Sequence, residues 1–272
     1  MQSAGRIGFI GGGNMAEAFI KGLLKGGSAV TDLLVSEPNE ARRSFLTSTY
    51  GVMTTADNLA VIKSASTIIL AIKPQLAASV IPPLAPAFTG DKLLISILAG
   101  TSTATLEELL GGTPRVVRAM PNTPALIGAG AAGLCRGRHA SADDLALAQQ
   151  LLSTFGMVCL VSEEQLDAVT GLSGSGPAYI FMVIEALADG GVQEGLPRDV
   201  ALALATQTVL GAALLVQGSG EHPAQLRDKV CSPGGTTIAA VKVLEEQGLR
   251  AALMAAVTAA ARRSRELGKK SY

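Results

Sequence analysis

The sequence predicts an α/β domain built on a mostly parallel sheet, followed by an all-α domain. Three observations lead to this prediction. A glycine-rich turn, Gly11-Gly12-Gly13, follows an apolar run near the N-terminus. Apolar runs then alternate with helical patterns as far as residue 161, as they do in βαβ units. From residue 162 onward helical patterns follow one another, separated by breaks that contain glycine and proline.

The first predicted strand, residues 6–10, runs directly into Gly11, Gly13 and the small residue Ala16. In dinucleotide-binding βαβ units the first glycine makes the tight turn and the second lets the backbone approach the pyrophosphate. A small third residue lets the helix pack closely on the strand. A helical pattern follows, and the next strand ends at the acidic residue Glu37. The N-terminal part is therefore predicted to be a Rossmann-type dinucleotide-binding domain.

The other elements follow in the same alternation. Within a first domain at residues 1–161, strands are predicted at 6–10, 33–36, 67–71, 93–96, 115–119, 131–135 and 157–161. Several of them end in small or polar residues, at the edge of a parallel sheet where ligands bind. Within a second domain at residues 162–272, helices are predicted at 163–172, 177–194, 198–217, 222–230, 236–247 and 249–267.

Composition excludes several classes of function. Lysine and arginine number 22, as do aspartate and glutamate, so the net charge of zero gives no indication of nucleic-acid binding. Cys135, Cys159 and Cys231 are scattered, and with only His139 and His222 beside them we expect neither disulfides nor a metal site. The first strand begins almost at the N-terminus and leaves no room for a cleaved signal, so a cytoplasmic protein is expected.

Residues 200–220 contain no charged side chain, a length close to that of a membrane span. Polar residues lower the hydrophobicity of the segment, and charged residues lie directly before and after it. A helix that is apolar on all faces must be buried on all faces, and the rest of the chain has the composition of a soluble protein. A second subunit is therefore the expected cover, and membrane insertion is the alternative.

A Ser232-Pro233-Gly234-Gly235-Thr236-Thr237 turn precedes the helical pattern of residues 236–247. Two interpretations fit it. The turn could be an ordinary helix start, with Ser232 as N-cap and Pro233 at the first helical position. Alternatively, free backbone N–H groups beside two hydroxyls could bind a carboxylate. The dinucleotide signature favours the carboxylate site, since a hydride donor needs a second site for the molecule that it reduces.

When the glycine-rich turn near the N-terminus and the turn at residues 232–237 are considered together, the chain resembles the pyrroline-5-carboxylate reductases. These enzymes catalyse the last step of proline biosynthesis. The resemblance extends over essentially the whole length. The five motifs that carry it occur in the family's order, at residues 9–16, 71–74, 118–124, 171–179 and 228–238. It implies a Rossmann domain and a helical dimerisation domain that interlocks with that of a partner. A homodimer, or a larger assembly built from dimers, is expected.

The resemblance also implies roles for individual residues. Gly235, Thr236 and Thr237 would bind the carboxylate of pyrroline-5-carboxylate, with the catalytic Thr237 hydroxyl near the ring nitrogen. Glu37 and Asn58 would lie near the adenosine ribose, and Asn122 beside the nicotinamide. The other expected cofactor-binding residues are Ile10, Gly11, Gly12, Gly13, Asn14, Met15, Ala71, Ile72, Lys73, Pro74, Ile97, Leu98 and Ala99.

The choice between NADH and NADPH stays open at this level. An acidic residue at the end of the second strand bonds the ribose hydroxyls of NAD and repels the extra phosphate of NADP, so Glu37 favours NADH. Ser36, Arg42 and Arg43 could nevertheless receive a phosphate. The family commonly accepts both cofactors.

Two rival functions fit part of the pattern. A β-hydroxyacid dehydrogenase has the same layout, but it needs a lysine and an asparagine on the helix after its second glycine motif, since an alcohol must lose a proton with its hydride. Ile180 and Ile184 stand at those positions here. A nucleotide-sensing regulator would leave the turn at residues 232–237 without a role.

Overall fold

The computed structural model describes residues 5–270, and the ends of the two predicted domains, 1–4 and 271–272, lie outside the described residues. Its strands form one eight-stranded sheet in the order β3-β2-β1-β4-β5-β6-β7-β8. The strands are β1 (Ile7–Ile10), β2 (Leu33–Ser36), β3 (Met53–Thr55), β4 (Thr67–Leu70), β5 (Leu93–Ser96), β6 (Arg115–Met120), β7 (Gly130–Arg136) and β8 (Gly156–Leu160).

The predicted mostly parallel sheet is confirmed. The first six strands in the spatial order, β3-β2-β1-β4-β5-β6, pair in parallel. Strands β6 and β7 pair antiparallel, and β7 and β8 pair in parallel. The chain builds outward from β1 through β2 to β3 and then returns to the other side of β1 with β4. This reversal is a topological switch point, where doubly wound sheets bind ligands at the carboxyl ends of their strands.

Helices alternate with the strands as far as residue 152, and from residue 176 onward they lie close to the predicted positions. Their bounds are α1 (Asn14–Lys25), α2 (Glu40–Tyr50), α3 (Asn58–Ser64), α4 (Ala77–Val80), α5 (Thr103–Leu110), α6 (Ala142–Leu152), α7 (Leu166–Val169), α8 (Gly176–Gln193), α9 (Arg198–Ser219), α10 (Pro223–Val230), α11 (Thr236–Glu246) and α12 (Leu249–Lys270). Short 3-10 helices occur at Val30–Asp32, Pro74–Leu76, Pro82–Ala87, Thr123–Ile127 and Glu163–Gln165.

Two apolar cores flank the sheet, because successive residues of a strand point to opposite faces. Phe9 of β1 and Ile69 of β4 belong to one buried cluster, and their neighbours Ile10 and Leu70 belong to the other. Strands buried on both faces read as nearly continuous apolar runs, which is why most of them could be found in the sequence.

The chain divides into two compact units that differ from the predicted domains 1–161 and 162–272. One unit extends to Ser175 and resumes at Val257, and the other is Gly176–Ala256. The distal part of α12 thus returns to the sheet-containing unit. A Cβ atom built on Gly171 would lie 2.5 Å from the Val257 carbonyl oxygen, which shows how closely this part of α12 packs there.

The predicted single helix at 163–172 is wrong in detail. A 3-10 turn at Glu163–Gln165 leads into the one-turn helix α7, and a π-helical turn at Thr170–Gly174 follows. The π-helical turn contains Gly171, Ser173 and Gly174, which have weak helix preference. Such turns commonly occur at functional sites.

The second unit contains α8 to α11 and the start of α12. By length and apolar composition, two helical segments could cross a membrane: Glu163–Gln193, with a mean hydropathy of 1.2, and Arg198–Ser219, with 1.8. Only 11% of each apolar window is buried within the chain. The single chain therefore leaves most of this apolar helical surface uncovered.

Candidate functional site: a glycine turn and a separate helix start

Backbone hydrogen bonds hold the carboxyl ends of the central strands together. The Gly11 N–H donates to the Ser36 carbonyl at 2.8 Å, and the Ala71 N–H donates to the Ile10 carbonyl at 2.8 Å. The Ile97 N–H continues this series by donating to the Leu70 carbonyl at 3.2 Å. The predicted cofactor-binding segments after β1, β2, β4 and β5 therefore share one edge of the sheet, on both sides of the switch point.

The glycine turn is tightly packed on one side and open on the other. Gly11 has a φ of 96°, and a Cβ atom there would lie 2.6 Å from the Ala71 carbonyl oxygen. A Cβ on Gly12 would lie 2.9 Å from a methyl group of Leu46. Gly13, in contrast, faces open space with nothing within 4 Å. The two inner glycines are thus needed for packing, and the outer one leaves room for an approaching ligand.

Helix α1 starts at this turn with Gly13 as its N-cap and without a side-chain cap. The N–H groups of its first turn point out of the helix, and they carry the positive end of the helix dipole. Asn14 is exposed and Met15 is half-buried beside them. These residues fit a dinucleotide pyrophosphate, since an anion is the ligand that such a helix start binds.

Glu37 lies against the glycine turn. One of its carboxylate oxygens accepts the Gly12 N–H at 2.9 Å, and the other accepts the Asn39 N–H at 3.0 Å. At the same edge, the Ser36 hydroxyl donates to the side-chain oxygen of Asn58. Glu37 and Asn58, both predicted to lie near the ribose, thus flank the end of β2.

The two arginines that follow Glu37 are held by other protein groups. Arg42 donates to the Gly12 carbonyl at 2.6 Å and forms an ion pair with Glu17 at 2.6 Å. Tyr50 donates to the other oxygen of Glu17 at 2.8 Å. Burial, followed by this contact with Glu17, raises the pKa of Tyr50, so it stays a hydrogen-bond donor at neutral pH. Arg43 donates to the carbonyls of Glu37 and Pro38.

This cluster of Glu17, Arg42 and Tyr50 was not predicted. Its members come from two helices and make contact only once α1 and α2 lie side by side. Arg42 was singled out in the sequence as a possible phosphate ligand, and in the structure its guanidinium also holds the glycine turn against α2.

The other predicted cofactor residues differ in what they can offer. The side chains of Ile10 and Leu98 are buried to 1% exposure, so only their backbone could contact a ligand. Lys73 is exposed. The remaining members of this group, which are half-buried, are Ala71, Ile72, Pro74, Ile97 and Ala99.

Asn122, predicted to lie beside the nicotinamide, joins two segments with its side chain. Its amide nitrogen donates to the Ser173 carbonyl at 3.0 Å, and its oxygen accepts the Ala131 N–H at 2.9 Å. Asn122 therefore connects the end of β6 to the π-helical turn and to β7. Both ends of the amide are used within the protein, which fixes its orientation.

The helix start predicted to bind a carboxylate belongs to the second compact unit. Ser232 is not the N-cap of α11: the N-cap is Gly235, and it has no side-chain hydrogen bond. The turn closes through Gly234, with a φ of 67°, and through the Gly235 N–H, which donates to the Ser232 carbonyl at 3.1 Å. The ordinary capped start is therefore wrong, and the first N–H groups of α11 have no side-chain cap.

The Ser232 hydroxyl occupies the space that a side chain at position 235 would take, so a larger residue there would require this hydroxyl to rotate away. A Cβ atom there would lie 2.2 Å from that oxygen. Thr236 is exposed and Thr237 is half-buried. The turn thus presents two hydroxyls beside free N–H groups, a combination of neutral donors that suits a carboxylate.

Within residues 5–270, no group of three or more histidine, cysteine, aspartate or glutamate side chains is arranged to hold a metal ion. The cysteines are free, and burial raises the pKa of Cys135 to about 11. Cys135 is therefore a thiol at neutral pH and a poor nucleophile.

Two family matches correspond to the two parts of the fold. Residues 6–100 match the family described as NADP oxidoreductase, coenzyme F420-dependent. Residues 163–267 match pyrroline-5-carboxylate reductase dimerisation, which assigns the chain to a homo-oligomer. The predicted combination of a dinucleotide-binding domain and a helical dimerisation domain is thus confirmed.

Full-length relatives agree. The chain is 49% identical to a pyrroline-5-carboxylate reductase from Synechocystis sp., over 97% of this chain and 99% of the relative. A solved pyrroline-5-carboxylate reductase from Coxiella burnetii superposes with a TM-score of 0.91 at 40% identity, covering 97% and 99% of the two chains. A solved pyrroline carboxylate reductase from Plasmodium falciparum, with NADP bound, has a TM-score of 0.88 at 31% identity, covering 97% of this chain and 98% of that one. The chain belongs to the pyrroline-5-carboxylate reductase family.

Proposed function

We propose that the chain reduces 1-pyrroline-5-carboxylate to L-proline with NADH or NADPH as hydride donor. The observation that carries this proposal is the uncapped start of α11. A Ser-Pro-Gly-Gly-Thr-Thr turn with free N–H groups and two hydroxyls gives a small carboxylate a binding site in a chain that also has the glycine turn of a dinucleotide-binding domain. A nucleotide sensor would have no use for this second feature.

Each predicted group has a limited task in this reaction. The N–H groups at Gly235, Thr236 and Thr237 bind the substrate carboxylate, and each charge-assisted hydrogen bond contributes roughly 1.5–3 kcal/mol. Two or three such bonds suffice to orient a small acid. The Thr237 hydroxyl lies near the ring nitrogen, where it positions the imine.

The reaction requires few other groups from the protein. The protonated imine is already an electrophile, so its carbon accepts a hydride without a strong acid nearby. The bound nicotinamide supplies that hydride from C4. The chain contributes orientation and the exclusion of water. The lysine and asparagine that an alcohol dehydrogenase needs have no counterpart at Ile180 and Ile184, which favours an imine over an alcohol.

The geometry around Glu37 supports a preference for NADH. Its carboxylate sits on the Gly12 N–H, at the end of β2 where a ribose binds, and a 2′-phosphate there would face a negative charge. Arg42 and Arg43, the cations that could offset this repulsion, are bound to Glu17 and to backbone carbonyls. A 2′-phosphate would have only the remaining N–H groups of these two guanidinium groups to bind, beside the Glu37 carboxylate.

Glu37→Ser should shift the preference toward NADPH. Like charges about 4 Å apart near a protein surface repel by about 4 kcal/mol before salt screening, and about 1.4 kcal/mol is already tenfold in rate. The ratio of kcat/KM for NADPH to that for NADH should rise at least about tenfold. Glu40→Ser, which removes an exposed acid from the start of α2, should leave the ratio unchanged. An unchanged kcat/KM ratio in Glu37→Ser would show that Glu37 does not lie at the ribose site.

We further propose that the chain works in the cytoplasm as a soluble homodimer, alone or within a larger assembly of dimers, and that the partner covers the apolar helices of the second unit. Phe181 of α8 is 62% exposed and Leu214 of α9 is 54% exposed in the single chain. Such surfaces on a soluble protein mark subunit interfaces. The match of residues 163–267 to a dimerisation family supports the same partner, a second copy.

The test of the proposed activity is turnover with purified protein. Oxidation of NADH or NADPH should depend on added pyrroline-5-carboxylate and should yield L-proline in equal amount. Tight binding of either cofactor without turnover would instead support a sensor. Oxidation of a β-hydroxyacid by NAD would favour the rival dehydrogenase.

A further inference from the structure

The distal half of α12 contacts the loop that follows β5. Gly100 in this loop has a φ of 73°, and a Cβ atom there would lie 3.2 Å from the Gly268 nitrogen. A Cβ on Gly268 would lie 2.5 Å from the Gly100 carbonyl oxygen. Two backbones thus meet with no side chain between them. Residue 268 therefore controls how close α12 comes to the loop at residues 97–101.

The same part of α12 also contacts the segment around the π-helical turn. Ser264 is 3% exposed, and its hydroxyl donates to Asp167 of α7 at 2.5 Å. Ala261, one turn earlier, packs on Gly171, where a Cβ atom would lie 3.1 Å from the Ala261 Cβ. This turn carries the Ser173 carbonyl that accepts the Asn122 amide.

The loop at residues 97–101 depends on packing for its shape. The Thr101 hydroxyl is buried and has no hydrogen-bond partner among residues 5–270. Two hydrogen bonds join the loop to β4 and β5: the Ile97 N–H donates to the Leu70 carbonyl and the Leu98 N–H donates to the Ser96 hydroxyl. The buried Leu98 side chain belongs to the same apolar cluster as Leu70 and Leu94. Its far end, at Gly100, rests against α12.

We propose that Gly268 and Ser264 position the two segments that border the nicotinamide. One is the loop at residues 97–101, and the other is the contact between Asn122 and the π-helical turn at Thr170–Gly174. Gly268 and Ser264 are positioning residues: they act through Ala99 and Asn122 and touch neither substrate nor cofactor. This inference rests on the proposed function for the identity of the nicotinamide end. It assigns to the end of the chain a role in hydride transfer.

The test is Gly268→Ala, because the added methyl must displace the Gly100 carbonyl. NADH affinity should fall several-fold and kcat should fall with it. Affinity for ADP-ribose, which lacks the nicotinamide, should stay as in the wild type. Because this displacement destabilises the fold whatever else Gly268 does, a purely structural role predicts a lower melting temperature with unchanged NADH affinity and unchanged kcat. That result, or equal losses for NADH and ADP-ribose, would overturn the proposal.

Two further variants complete the design. Gly90→Ala adds the same methyl in open space just before the amino end of β5, whereas the loop at residues 97–101 follows the carboxyl end of that strand. This variant should leave NADH binding and kcat unchanged. Ser264→Ala removes the hydrogen bond to Asp167 without adding bulk, so it serves if Gly268→Ala fails to fold. It should also weaken NADH more than ADP-ribose, and equal affinities to wild type for both would contradict the proposal.

These binding measurements separate the inference from the proposed function. A wild-type protein that binds NADH but does not reduce pyrroline-5-carboxylate refutes the reductase activity alone. The difference between NADH and ADP-ribose in Gly268→Ala is measured without any imine, so it tests the positioning role in either case.

Discussion

Replacing Thr237 with alanine should lower kcat/KM for pyrroline-5-carboxylate by about 10- to 100-fold while leaving cofactor affinity unchanged. The substitution removes the hydroxyl proposed to face the ring nitrogen, and a hydrogen bond to a charged group is worth roughly 1.5–3 kcal/mol. Thr237 is at the start of α11, in the compact unit that does not contain the glycine turn. Steady-state kinetics with varied imine, and titration with NADH, measure the two quantities.

Two variants control this experiment. Thr237→Ser keeps a hydroxyl and should recover most of the lost kcat/KM. Thr113→Ala makes the same change at an exposed position just before β6 and should behave as the wild type. Reduction of the imine by Thr237→Ala at the wild-type rate would show that the Thr237 hydroxyl does not face the ring nitrogen.

Leu214→Glu should abolish the soluble, active protein. Leu214 lies on α9, whose apolar surface is largely uncovered in the single chain. An unpaired carboxylate buried there in a dimer costs several kcal/mol, and obligate dimers often have no stable folded monomer. We expect aggregated or insoluble chains, measured by sedimentation and by activity in the soluble fraction.

The matched control is Met53→Glu, which places the same charge on the edge strand β3, where Met53 is 45% exposed. This variant should stay soluble and dimeric. A wild-type protein that sediments as an active monomer at micromolar concentration would refute the dimer and this explanation of the apolar helix.

The parts of the fold that could be predicted are those in which local sequence and final structure agree. The glycine turn is one example, because Gly11 needs a positive φ and close contact with Ala71, and no other residue meets both needs. Strand β3 was missed because Met53–Thr55 is three residues long and none of its side chains is buried. Its position is fixed by parallel pairing with β2, which local sequence does not encode.

Prediction of the candidate site from local sequence is limited in the same way. Ser232 has the chemistry of an N-cap, but the turn through Gly234 moves the cap to Gly235. Arg42 has the charge of a phosphate ligand, but two of its guanidinium nitrogens already contact Glu17 and the Gly12 carbonyl, which the sequence did not indicate. Both outcomes depend on contacts made by other residues. Residue type predicted what these groups can do, and only the packed structure determines which partner each one finds.

The most direct test of the account is transfer of the hydrogen itself. NADH dideuterated at nicotinamide C4 should give L-proline that is one mass unit heavier, with the deuterium on the ring methylene next to nitrogen. Mass spectrometry and NMR of the product locate the label. Unlabelled proline would mean that the hydrogen comes from solvent, and the absence of proline would mean that the chain does not reduce this imine. Either result would contradict direct hydride transfer from the nicotinamide to the imine carbon.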